Sequence, residues 1–150
     1  MRKQAGFTIV ELMVTLAIVG ILFATSVPAY NTWRQRAYGQ EASLMVKQIL
    51  DGQVLYYLEH DDFYPLGGGG FIIPKNDPPT AEIQTKLEEI KEAIKLEIPV
   101  GHHLNYQFDN NGTIFLIVIY ADWAIFKQNK NALYGYIDKE GVTTIFAGAI

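Results

Sequence analysis

The sequence predicts an α+β fold: a long N-terminal α-helix packed on an antiparallel β-sheet of about four strands, with an extra helix in the connecting loop. Three observations predict it. An apolar run opens the chain and continues into a proline-free stretch whose apolar residues recur at helical spacing. Residues 101–150 alternate, are rich in Tyr, Ile, Phe, Val and Thr, and hold two turn signals. Between these regions, "PPTAEIQTKLEEIKEAIKLEIP" has the pattern of a capped amphipathic helix.

The opening run sets the first problem. From Phe7 to Val27 there are 21 residues with a single charge, Glu11, long enough to cross a bilayer as one helix. A cleaved secretory signal would have a shorter apolar region, although Ala-Thr-Ser near its end is a weak cleavage site. A plain signal anchor would use Arg2 and Lys3 to hold the N-terminus in the cytoplasm. Neither accounts for Glu11, since a carboxylate within a membrane span costs about 2.5–3.5 kcal/mol, less near an end where it snorkels. Spacing offers another reason: Glu11 lies four residues after Phe7, one helical turn away. A cut between Gly6 and Phe7 would create an ammonium group for that carboxylate to pair with.

"GFTIVELMVTLAIVGILFATSVPAY" resembles the class III signal of type IV pilins and pseudopilins, with a short basic leader, Gly, Phe, a Glu four residues on, and an unbroken apolar helix. The resemblance implies the type IV pilin fold in three parts: a leader peptide over 1–6, a transmembrane or filament-core helix over 7–29, and a periplasmic or extracellular globular domain over 30–150. It implies cleavage after Gly6 by prepilin peptidase and N-methylation of Phe7. It gives Glu11 a role in assembly, neutralising the Phe7 ammonium of a neighbouring subunit. Gly20 and Pro28 match positions between which the family's helix unwinds in packed filaments; a simple kink at Pro28 is the milder reading.

The function so implied is that of a structural subunit of a type IV pilus-like filament, with adhesion, twitching motility or DNA uptake as roles. Its partners would be identical or related pilin subunits, the prepilin peptidase, the inner-membrane pilus or secretion assembly machinery, and the membrane before assembly. DNA would be a partner only of an uptake pilus. The chain would be single-pass in the inner membrane with a cytoplasmic N-terminus, then part of an extracellular filament or a periplasmic pseudopilus. A pseudopilin of type II secretion is the alternative within the family. A signal-anchored periplasmic enzyme or binding domain, with Glu11 incidental, is the alternative outside it.

After Pro28 the helical pattern runs to about Leu58, with Tyr38, Ala42, Met45, Ile49, Gly52 and Tyr56 as its apolar face. "DDFYPLGGGGFIIPKNDPP" reads as a loop because of its proline and glycine. The second helix is capped by Asp77 or Thr80, ends before Pro99, and has Ile83, Leu87, Ile90 and Ile94 as its stripe. "HHLNYQFDNNGTIFLIVIYA" reads as a hairpin turning at Asn110, Asn111 and Gly112, and "ALYGYIDKEGVTTIFAG" as another turning near Lys139, Glu140 and Gly141. "DWAIFKQNKN" falls between them as the completion or extension of a strand.

Composition narrows the function classes. A chain of 150 residues is about one domain, and a net charge of -4 with scattered basic residues gives no electrostatic footprint for nucleic acid. Without cysteine there is no disulfide, thiol nucleophile or thiolate metal site. No enzyme, catalytic residue or cofactor is expected, since no nucleophile elbow or paired acid and base stands out. No metal is expected either; the weak candidates are Glu59, Asp61 and Asp62 beside His60, and Asp109, Asn110 and Asn111 in a turn. The glycine run lacks the Lys-Ser or Lys-Thr of a phosphate loop. The adjacent His102 and His103 are expected as solvated residues entering a strand.

Overall fold

The computed structural model describes residues 6–75 and 78–150 and divides into two compact units, the first ending at Arg34 and the second beginning at Gln35. Helix α1, Ile9–His60, belongs to both. In the first unit it is long and apolar enough to cross a membrane, and its apolar side chains, Phe7 and Ile9 through Val27, lie exposed. Pro28 sits inside α1 and supplies no N–H to the turn before it. Nearby hydroxyls bond back to the helix: Thr25 donates to the Ile21 and Leu22 carbonyls, Ser26 to Leu22 at 2.6 Å, and Thr32 to the Pro28 carbonyl at 3.0 Å.

The second unit has its own core. Along the C-terminal half of α1, Gly39, Ala42, Met45, Val46, Ile49, Leu50, Gly52, Gln53 and Tyr56 are buried, steps of three and four that keep one face inward. That face packs on a sheet of five strands in chain order: β1 Gly69–Ile73, β2 Asn105–Asn110, β3 Ile114–Tyr120, β4 Ala132–Asp138 and β5 Thr143–Gly148. Every neighbouring pair is antiparallel. Gly135 sets the approach of helix to sheet: a Cβ there would lie 2.5 Å from Val46 Cγ1, so only glycine allows this contact.

The expected four strands are therefore joined by a fifth, in the stretch read as loop. Three residues of apolar pattern, Phe71 to Ile73, follow four glycines, too little alternation to signal a strand alone. Strand β1 is recruited by β2 instead, and Gly70 leaves room for Asp109, whose Oδ1 would be 2.8 Å from an added Cβ. The expected strand extension through "DWAIFKQNKN" is also corrected. There the Ile125 and Phe126 N–H groups both donate to the Lys130 carbonyl, and Gln128 and Asn129 take left-handed φ values of 60° and 59°, which closes a turn.

Helix α2, Ala81–Ile94, forms where expected. Thr80 is its N-cap, its hydroxyl accepting from the Ile83 N–H, while Asp77 lies outside the described residues. Leu87, Ile90 and Ile94 are buried and Ile83 is half-buried, so the predicted stripe is the packed face. Both hairpins turn at the expected residues, with Gly112 at φ 79° and Gly141 at φ 81°. A left-handed conformation is accessible to glycine without steric cost.

Candidate functional site

The helix start is built by Thr8 and Glu11. Thr8 precedes the first turn, and its backbone N–H and hydroxyl both donate to Glu11 Oε2, at 2.9 and 2.8 Å. The Glu11 N–H donates in return to the Thr8 hydroxyl at 3.2 Å. This is a capping box, in which a Thr and a Glu three residues on satisfy donors that the first turn leaves unpaired. The signal Thr-x-x-Glu is present in the sequence as Thr8 to Glu11, overlapping the four-residue spacing from Phe7 to Glu11. Glu11 Oε1 accepts no hydrogen bond from the described residues.

Gly6 and Phe7 lie before the helix in irregular, exposed backbone, Phe7 with 80% of its surface accessible. The peptide bond between them is thus outside the hydrogen-bonded turns. Glu11 is within the apolar span, where its partner is Thr8 rather than a charge. Helix α1 runs without interruption through both Gly20 and Pro28 in the single chain, and nothing lies within 4 Å of a Cβ placed on Gly20. Residues 1–5, of the expected leader, lie outside the described residues.

The remaining candidates are structural. Asp62 folds its loop: Oδ1 accepts from the Phe63 N–H at 2.8 Å and from Asn110 Nδ2 at 3.2 Å, and Oδ2 from the Gly67 N–H at 3.0 Å. The Gly67 N–H, followed by those of Asn110 and Phe63, holds the Asp62 carboxyl below its ordinary range, against an opposing effect of burial. His60 stacks on Tyr56 at 4.0 Å between ring centroids, and its Nδ1 lies 3.0 Å from the Tyr56 carbonyl. Glu59 and Asp61 are exposed, and no group of three metal-ligating side chains occurs among the described residues.

Asn110 was expected to shape a turn and, with Asp109 and Asn111, was a weak metal candidate. Its side chain is buried, and it joins two loops: Nδ2 donates to the Phe63 carbonyl at 2.8 Å and the Pro65 carbonyl at 2.9 Å, while Oδ1 accepts from the Gly112 N–H at 2.8 Å. His102 corrects its expected solvation. It is buried before β2, its Nδ1 2.6 Å from the Leu104 carbonyl and its ring edge-on to Tyr106; burial pushes its pKa down. His103 is exposed. An alternating pattern is blind to this, because His102 precedes the strand and is held by a local bond.

Residues 1–27 match the family model described as the prokaryotic N-terminal methylation motif. Over 74 residues the chain is 39% identical to a type IV major pilin protein, PilE1, of Neisseria gonorrhoeae, covering 49% of this chain and 35% of that protein. Over its N-terminal part the chain is thus similar to type IV pilins. The chain is also 43% identical over 60 residues to a fimbrial protein of Neisseria meningitidis serogroup B, covering 40% of this chain and 35% of the relative. With the type IV major pilin protein PilA of Myxococcus xanthus it shares 33% identity over 61 residues, 41% of this chain and 28% of the relative. The chain spans about a third of the length of the curated relatives it matches. No solved structure matches it.

Proposed function

We propose that this protein is a type IV pilin, a structural subunit of a type IV pilus filament, matured by cleavage between Gly6 and Phe7 and N-methylation of Phe7. The observation that carries the reading is the first unit itself: an apolar helix with its side chains exposed, beginning at a carboxylate with one open oxygen. Apolar surface gains about 25 cal/mol for each Å2 removed from water, so this helix requires lipid first and other helices afterwards. Before assembly, Arg2 and Lys3 hold the leader on the cytoplasmic side and residues 30–150 lie beyond the inner membrane. Prepilin peptidase and an inner-membrane assembly machine are the partners of this stage.

Cleavage changes what Glu11 faces. Oε2 keeps the Thr8 cap, and Oε1 takes the Phe7 ammonium of the adjacent subunit, so the two charges enter the filament core as a pair. Packing of one subunit's helix on a different face of the next is heterologous and extends into a filament instead of closing a dimer. Glycine at 20 and proline at 28 weaken the helix where packed subunits would unwind it.

Glu11→Ala tests the role of the pair. The variant is expected to insert and to lose its leader, yet to yield about tenfold fewer sheared filaments or less, since a buried charge left without its partner costs about 3–5 kcal/mol. Filaments at the unsubstituted level would overturn the role given to Glu11.

A further inference from the structure

Strand alternation gives the sheet a second face. Residues such as Phe108, Ile117 and Gly135 turn toward α1, so their neighbours Asp109, Leu116 and Tyr136 turn the other way. These three are adjacent across β2, β3 and β4, through the pairs Asp109 with Leu116 and Leu116 with Tyr136. With Ile114 and Asn111 they line a hollow of about 530 Å3 that opens to solvent.

Its polar groups are oriented but unused. Asn111 Oδ1 accepts from the Thr113 and Ile114 N–H groups at 2.9 and 2.8 Å, which fixes the side chain and leaves its Nδ2 without a partner among the described residues. The Asp109 carboxylate and the Tyr136 hydroxyl have no hydrogen-bond partner among them either. The neighbouring row continues the aromatic surface, with Tyr134 and Phe146 stacked at 5.1 Å and 7°. Gly148 leaves space for the Tyr134 ring, which would be 2.7 Å from an added Cβ.

The lining combines an aromatic ring, two aliphatic side chains, one carboxylate that only accepts and one amide that donates. A pyranose ring needs that combination. Its C–H groups stack on the negative face of an aromatic ring, and its hydroxyls donate to a carboxylate and accept from an amide. An anionic ligand is disfavoured, because Asp109 is the charged residue of the lining and no base accompanies it. We infer that the hollow of Asp109, Asn111, Ile114, Leu116 and Tyr136 binds a neutral hexopyranose residue, with Tyr136 beneath the sugar ring, Asp109 accepting from one hydroxyl and Asn111 donating to another. This site is independent of filament assembly.

The test uses the full chain, 15N-labelled, in phosphocholine detergent micelles that carry no sugar headgroup. The probes are the methyl glycosides of glucose, galactose, mannose, N-acetylglucosamine and N-acetylgalactosamine. At least one is expected to give saturable amide shifts confined to Asp109–Leu116 and Tyr134–Asp138, with millimolar affinity. Asp109→Asn and Tyr136→Leu should each weaken that binding about tenfold, the first by removing the charge of the acceptor and the second by removing the stacking face. Asp109 is exposed, so its substitution leaves the fold intact and keeps the test valid if Tyr136→Leu disturbs the sheet. No saturable shift with any probe, shifts centred elsewhere, or binding unchanged by Asp109→Asn would overturn the inference.

Discussion

At the scale of single residues, Asn110 shows how a side chain chosen for one task performs another. Asparagine before Asn-Gly announces a hairpin, and the hairpin forms. The same side chain reaches 45 residues back along the chain to the Pro65 carbonyl, a contact that no local pattern encodes. Asn110→Ala would leave the Phe63 and Pro65 carbonyls and the Gly112 N–H without these bonds. The expected cost is about 3 kcal/mol, from two or more buried polar groups losing their partners. Urea denaturation of the variant, at unchanged m-value, checks it; a loss below about 0.5 kcal/mol would mean that water replaces the amide. The Thr8 and Glu11 cap was legible, since Thr-x-x-Glu before an apolar run is a known start signal. Asp62 was misleading, because a carboxylate amid acids looks like a ligand until its three N–H donors are seen.

At the scale of elements, legibility followed the strength of the local period. Helix α1 and helix α2 were visible because their buried residues recur every three or four positions, and the two hairpins because Gly112 and Gly141 punctuate alternating runs. Strand β1 was not visible, because its existence depends on pairing with β2 rather than on its own five residues. The same is true of Gly135, whose absence of a side chain admits Val46 of α1. Gly135→Ala is expected to destabilise the second unit by about 1–3 kcal/mol through overpacking. Gly20→Ala, with open space around it, should instead favour the helix by about 0.5–1 kcal/mol. Thermal unfolding for the first and helical content in micelles for the second separate the two effects; an unchanged midpoint for Gly135→Ala would contradict the close contact.

At the scale of the whole molecule, the two units follow different rules. Gln35 to Ile150 encloses a core in which Tyr106, Phe108, Phe115, Ile117 and Ile119 are wholly buried. The segment before it does not, and its exposed helix is the feature that the filament reading explains. That half of the account was legible from the first 30 residues, whereas the hollow on the outer sheet face appears only when the register of three strands is known. Mass spectrometry of the N-terminus of the chain purified from cells tests the central claim most directly. The account predicts a chain that begins at Phe7, lacks residues 1–6 and carries one added methyl group on its amino terminus. A chain that retains Met1, or one cut near Ala29, would contradict it.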